Sequence, residues 1–597
     1  MEKVIRAIFI VAISFFAIYI SVLSLSPANS ASNLNGIKLP KAAATAIDAF
    51  IKGSNANIDN QPFRDNPNLY QQDNPGSVVT MYVTVRKGNS SDHTDFTWNQ
   101  INDFTKIFYA TDANTVTEAA DAIVQIGNEH GPLPDEVGYG ALVPNATIQL
   151  RGNTASPIAQ ESYKIVLQTN AGKWRGLSTI DLNKHFNDNT RIRNKLNFDL
   201  LKLIPNMTSV RTQFVHLYIR DETADLENNA FVDYGLFTQA EQPNTRFLRD
   251  RLLDRDGQVY KADAFEFQRY PDQIRLTTDP LYNENVFSSI LEIKGNKNDT
   301  KLVQMLDDVN NFNIPIEQTF AKYFDSDNYF TWLAYNILVG NITTENQNFY
   351  LYSPHNGNKW YFLPWDYDAS FPLQNHPDLT KNIYAPWQNG VSNYWASVLP
   401  NRLLRVPEYR QTLDNKINVV KDILTPERIK SMLDVYKKAV DPYVTQMPDV
   451  EYIRGSLNAR NQEIDLLPGD IQNNYDLYLE SLKKPMPFTM GTPTVVNGKL
   501  DFTWDNSYDF GGQDITYDFA VSTDWEFKEV IAEKTLTNVT ETQIDMLNPG
   551  TYFWRVTAEN ASGNSQVSYS YYEDANSINH YSVKYLYITP DGHPLSK

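Results

Sequence analysis

Residues Gly340 to Asp368 read GNITTENQNFYLYSPHNGNKWYFLPWDYD, and the interpretation of the whole chain starts here. Asn348 stands at the head of a Phe349-Tyr350-Leu351-Tyr352 run. Pro354, Asn356, Gly357 and Asn358 supply a turn, and a second apolar run, Trp360 to Leu363, leads to two carboxylates, Asp366 and Asp368. Two short apolar runs joined by Asn and Gly form a β-hairpin. A hairpin brings the residue before its first strand close to the residue after its second, so Asn348 and Asp366 are expected to share one pocket. One amide oxygen and one carboxylate turned to a common point suit a hard cation, and protein kinases hold Mg²⁺ this way. The competing reading is a surface hairpin whose Asn and Asp residues only make turns.

The stretch resembles the CotH family, the spore-coat-protein-H kinase-like proteins. That family's signature runs Gly-Asn-x-Asp, then Asn-x-Tyr-Leu-Tyr, Gly-Lys-Trp and Pro-Trp-Asp-x-Asp. Here it falls on Gly340-Asn341, Asn348 to Tyr352, Asn358-Lys359-Trp360 and Pro364 to Asp368. Upstream, Arg151-Gly152-Asn153-Thr154 with Ser162-Tyr163-Lys164-Ile165 resembles another family element, and Arg193-Asn194-Lys195-Leu196 a third. Tyr234-Gly235-Leu236-Phe237 with Glu241-Gln242, and Val259-Tyr260-Lys261, resemble two more. The motifs keep the family's order.

The resemblance implies a two-lobed, atypical protein-kinase-like α+β domain over residues 76–484, using ATP and Mg²⁺. It puts Asp366 on the metal, with Asn348 beside it. Asp368 assists the metal or caps the next segment. Lys164, a lone lysine in an apolar strand-like run, would contact nucleotide phosphate or else guard a sheet edge. Arg151, Gly152 and Asn153 would bring backbone N–H groups to phosphate oxygens. Glu241 would orient Lys164 or a metal-bound water, or lie on the surface. The substrate implied is Ser or Thr of an extracellular or envelope protein.

One departure matters more than the matches. The family's catalytic-loop aspartate falls at position 343, which is Thr343 here. A threonine hydroxyl takes no proton from an alcohol near neutral pH, and losing a general base typically costs ~10²–10⁴-fold. Glu345, two residues on, is the candidate stand-in. An intact metal site without its base fits a weak kinase, a different nucleotide-transfer enzyme, or a catalytically silent pseudokinase scaffold. His130, His185, His216 and His376 show no zinc-type spacing and are read as structural or surface histidines. No Gly-x-Ser-x-Gly elbow is present.

At 597 residues the chain calls for more than one domain. Hydrophobic residues at 42% and aromatics at 13% are those of a globular protein. A formal net charge of −19 disfavours nucleic-acid partners and anionic membrane surfaces. Lys3 and Arg6, the apolar stretch Ala7 to Leu25 and the small residues up to Ser32 match an export signal over residues 1–30. The stretch is nearly long enough to span a bilayer, which leaves an uncleaved membrane anchor open. There are no cysteines, which excludes disulfides and thiolate chemistry and points to an extracellular, Gram-positive-type bacterial surface.

Residues 31–75 read as a lead-in with a helix over Ala42 to Ile51. A strand is expected over Val78 to Val85, a short helix over Ala119 to Ile126 and a helix over Arg191 to Ile204. Val215 to Ile219 and Phe231 to Phe237 are expected to pair as strands. Helical periodicity dominates Leu302 to Val339 and Leu399 to Leu482. Lys483 to Pro487 marks a break, and residues 485–597 carry strands at short intervals that resemble a fibronectin type III sandwich. Trp504 and Tyr552 would be core residues there.

Overall fold

β-Branched and aromatic residues are concentrated in short runs of the first half of the chain, and these runs form strands. The computed structural model describes residues 63–103, 118–151, 161–224, 229–371 and 384–596. The expected helix at Ala42 to Ile51 and the export segment lie outside these. The first strands are β1 (Val78–Arg86), β2 (Ala119–Asn128), β3 (Gly131–Pro132), β4 (Ala146–Arg151), β5 (Ser162–Leu167) and β6 (Thr179–Asn183). After helix α1 (Arg193–Leu201) come β7 (Thr212–Asp221) and β8 (Val232–Ala240).

Their order is β1-β7-β8-β6-β5-β4-β2-β3, with β1 also paired to β2. β1 runs parallel to β7 on one side and antiparallel to β2 on the other, so the sheet closes on itself. Closure satisfies both edges of every strand in the ring. Alternate side chains fill the interior, among them Met81, Val83, Ile148, Tyr163, Ile165, Leu182 and Leu217. Lys164, between Tyr163 and Ile165, is on the outer face. The segment Ala119 to Ile126 is therefore a strand and not a helix. Its short apolar run carries no decisive period, and its β-branched Val124 and Ile126 pack into the closed barrel.

The second half is mostly helical around a small antiparallel sheet. In chain order it contains β9 (Gln258–Ala262), β10 (Leu291–Ile293), α2 (Thr300–Asn310), α3 (Ile316–Tyr323), α4 (Ser326–Leu338), β11 (Phe349–Ser353) and β12 (Tyr361–Pro364). It continues with α5 (Val398–Leu404), α6 (Pro407–Ile423), α7 (Pro426–Val444) and α8 (Leu457–Ser481). The sheet order is β10-β9-β11-β12. Helix α4 is buried from Asn328 to Leu338, as expected of a helix that is apolar nearly all round. The helices Pro407–Ile423 and Leu457–Ser481 and strand β12 pack against it.

Beyond Pro487 the chain is all β. A three-stranded sheet, β13 (Thr494–Val496), β14 (Lys499–Thr503) and β17 (Glu541–Asp545), lies against a larger one. The larger sheet holds β15 (Ile515–Ser522), β16 (Val530–Thr537), β18 (Gly550–Asn560), β19 (Ser565–Val567), β20 (Val583–Ile588) and β21 (Pro594–Ser596). Phe502 and Ile544 of the first sheet share one core with Tyr517, Phe519, Trp554 and Leu586 of the second, and Trp504 is buried in it. Tyr552 is half-buried against that core, and its hydroxyl donates to Asn548 O at 3.1 Å. This region is seated on the helical half: Tyr508 stacks on Trp395 with ring centroids 5.4 Å apart, and Trp387 meets Tyr569 edge-on at 4.9 Å. Among the described residues no helix is long and apolar enough to cross a membrane.

Candidate functional site

Helix α4 ends in a Schellman turn. Gly340 takes φ 61°, Asn341 N–H donates to Asn336 O (3.0 Å) and Gly340 N–H to Ile337 O (3.2 Å). The turn fixes Asn341 and starts a single 3₁₀ turn over Ile342–Glu345. The hairpin follows as expected, with Phe349 opposite Pro364 and Tyr352 opposite Tyr361. Asn348 and Asp366 flank it, at φ 60° and 52°. Left-handed backbone is tolerated best by Asn and Asp outside glycine, and its occurrence at these two positions re-aims both side chains at the strand ends.

Hydrogen bonds tie the flanks together. Asn348 Nδ2 donates to Thr343 Oγ1 (3.0 Å), Thr343 Oγ1 donates to Asn341 Oδ1 (2.9 Å), and Asn341 Nδ2 donates to Asp366 O (3.3 Å). Thr343 is thus a linker in this chain, bonded on both sides. With Nδ2 so engaged, the carbonyl oxygen of Asn348 remains to act as a ligand.

His185, Asp366 and Asp368 each offer a ligand atom, all within 4.8 Å of one another. His185, read from the sequence as structural or surface, is therefore part of the site: its side chain is buried and its Nδ1 lies 3.2 Å from Asp368 Oδ2. Burial, reinforced by the charge of Asp368, pushes the Asp366 carboxyl up to about 6, against the opposing pull of His185, Arg151 and Lys261.

The cationic side is built from the barrel's outer face. Arg151 Nε pairs with Asp181 Oδ2 at 3.3 Å, its guanidinium donates to Asn183 Oδ1, and it lies 5.7 Å from the Trp365 ring. Lys164 sits directly opposite Asp181 across β5 and β6. Lys261 on β9 faces Tyr350 across the small sheet and pairs with Asp263. The sequence motif around Lys261 was visible, but nothing local tied it to Asp366. Gly152 and Asn153 lie outside the described residues.

Two other expected residues stand elsewhere. Glu241 neither orients Lys164 nor lies on the surface. It is buried, and its carboxylate takes Arg211 Nη2 at 2.6 Å and Arg251 Nη2 at 2.8 Å. Burial opposes its ionisation, yet the two arginines hold its carboxyl below the usual range. Glu345 ends the 3₁₀ turn, and burial with Glu266 nearby pushes it up to about 7. It is outside the three-residue cluster that includes Asp366.

Helix α1 braces the acidic turn from behind. Asn194 Oδ1 accepts from Tyr367 N–H (3.1 Å), Asn197 Nδ2 donates to Ser370 Oγ (2.7 Å), and Arg193 Nε donates to Phe371 O (3.2 Å). Arg193 itself is buried between Asp188 and Glu463, each 2.7 Å away. This explains a helix buried on every side despite its polar residues.

The clustered carboxylates of Asp366 and Asp368 are oxygen donors of the kind that suits Mg²⁺, and Asn348, tied to the same turn through Thr343 and Asn341, has an amide oxygen of the same chemistry. The Asp366 carboxyl, raised by burial and then by the charge of Asp368, is one that a divalent cation would hold ionised.

Fold and site together define a barrel-plus-helix protein with a carboxylate pair at the base of a hairpin. Residues 148–478, more than half of the chain, match the CotH kinase protein family, and the chain belongs to that family. Over 348 residues it is 22% identical to the inner spore coat protein H of Bacillus subtilis (strain 168), an alignment covering 57% of this chain and 88% of that protein.

Proposed function

We propose that the chain is an exported, kinase-like phosphotransferase that binds ATP with Mg²⁺ and phosphorylates Ser or Thr of an extracellular or envelope protein. The observation that carries this is the clustering of the Asp366 and Asp368 carboxylates in a turn joined by hydrogen bonds to Asn348, with Arg151 and Lys261 close enough to oppose the rise of the Asp366 carboxyl. Asp366, Asp368 and Asn348 would hold Mg²⁺, which when bound neutralises charge between the β- and γ-phosphates. Arg151 and Lys164, on the barrel's outer face, would bind and orient the phosphates. The barrel and the helical half would act as the two lobes on either side of these residues.

The acceptor hydroxyl must lose its proton as the new P–O bond forms. Thr343, bonded to Asn341 and Asn348, has no capacity to take it. Glu345, with a carboxyl near 7, is the group in the same turn whose proton affinity suits that task. The same threonine favours a second reading, a nucleotide-binding scaffold with little or no transfer. The two-sheet C-terminal region, with the Tyr552 hydroxyl bonded back to Asn548 O, supports a fibronectin type III-like module. The name of the Bacillus subtilis relative and the N-terminal apolar segment support a coat or cell-surface location.

The test is label transfer from radioactive ATP by the mature protein, with Asp366→Ala as control. Transfer that persists in the variant refutes the role given to Asp366. Stabilisation by Mg-ATP without transfer selects the scaffold reading.

A further inference from the structure

Asp368 is held by a closed ring of hydrogen bonds that begins one residue before it. Tyr367 N–H donates to Asn194 Oδ1 at 3.1 Å. That bond fixes the amide's orientation, so Asn194 Nδ2 is the atom 2.9 Å from His185 Nε2. An amide NH₂ only donates, so Nε2 accepts. With Nε2 accepting, Nδ1 is the ring nitrogen that donates, to Asp368 Oδ2 at 3.2 Å, and this completes the ring. The backbone of His185 is pinned as well: it takes φ 49°, and its carbonyl accepts from Arg191 Nη1.

We propose that His185, oriented by Asn194, is a positioning residue for Asp368 and not a metal ligand, so that the cation site consists of oxygen donors alone. The proposal deepens the nucleotide–metal reading and rests on it. Taken as a cluster, one imidazole and two carboxylates are also what zinc and iron sites use. For Nδ1 to bind a metal its proton must move to Nε2, which would then point a donor at the donor Nδ2 of Asn194. Asn194 cannot turn over to accept it, because Tyr367 N–H requires the oxygen where it is. Coordination by His185 would break the ring at two bonds. Donation from Nδ1 instead orients Asp368 and strengthens it as a ligand, the usual task of groups one layer behind a metal.

The discriminating variant is His185→Asn. Its side-chain amide places a donor where Nδ1 lies and tolerates the left-handed backbone, but it supplies no ligating nitrogen. The experiment is calorimetric titration of the full chain with Mg²⁺, Mn²⁺ and Zn²⁺ in the presence of a non-hydrolysable ATP analogue. Melting curves without metal serve as the control for folding. Wild type and His185→Asn are expected to bind each ion alike. His185→Ala is expected to lose ~10–100-fold for all three ions by a common factor. A preferential loss of Zn²⁺ in His185→Asn, or an equal loss in both variants, overturns the proposal. Should His185→Ala not fold, the comparison of His185→Asn with wild type decides alone. A wild type that binds no divalent ion overturns the nucleotide–metal reading itself, and this proposal with it.

Discussion

Replacing Asp366 with Asn should make the metal-free protein more stable while removing its response to Mg-ATP. The side chain keeps its shape, and Asn accepts the φ of 52° found there. What disappears is a charge. The Asp366 carboxyl is pushed from an ordinary 3.8 to about 6 by burial and by Asp368. A carboxyl with a folded-state value above its unfolded one destabilises the fold once it ionises. The penalty is absent below about pH 4, grows between about 4 and 6, and is full above about 6. At 1.36 kcal/mol per pH unit the gap has a ceiling of about 3 kcal/mol, and partial solvent contact reduces it to roughly 1–2 kcal/mol. For a domain of this size that is a rise in Tm of about 2–3 °C. The assay is thermal unfolding in chelator at pH 7.5 and near pH 4, repeated at pH 7.5 with Mg-ATP. The gain should be present at pH 7.5 and mostly gone near pH 4, and only wild type should respond to Mg-ATP. No gain at pH 7.5, or the same gain at both values, would refute the electrostatic reasoning.

Further outcomes follow from the same contacts. Apparent Mn²⁺ affinity should fall about tenfold per pH unit below about 6, as protons compete for Asp366, which calorimetry across pH 5–8 would reveal. Thr343→Asp should raise phosphoryl transfer by ~10²-fold or more if the missing base limits it; an unchanged rate in a labelled-ATP assay would place the limit elsewhere. Glu241→Gln should lower stability by about 3–5 kcal/mol, since it leaves Arg211 and Arg251 short of a buried counter-charge. Nucleotide affinity of the folded variant should not change. Trp395→Ala should cost about 3–5 kcal/mol and loosen the C-terminal sheets from the helical half, seen as faster protease cleavage near Lys483 to Pro487.

The hairpin and its flanking Asn348 and Asp366 were legible because a turn with Asn and Gly between two apolar runs is a local signal. The two antiparallel strands around Val215 and Phe237 were legible for the same reason. Closure of the barrel was not, since it depends on β1 meeting both β2 and the distant β7. The misreading of Ala119 to Ile126 as a helix belongs to the same gap: without knowledge of its partners, a short apolar run has no preferred period. His185 joins Asp368 across 183 positions of chain, and no spacing rule links them. Glu241 was misassigned because its partners, Arg211 and Arg251, are ordinary arginines in sequence and become a buried pair only on folding. Lys261 lay inside a recognised motif, yet only the pairing of β9 with β11 brings it towards Asp366.

One divalent cation at the base of the hairpin is central to the proposed chemistry. Anomalous diffraction from crystals grown with Mn²⁺ and a non-hydrolysable ATP analogue tests this directly. A manganese peak bonded to Asp366, Asp368 and Asn348 Oδ1, with phosphate oxygens on its far side, is the expected result. A peak elsewhere, or nucleotide bound with no metal at these residues, would contradict it.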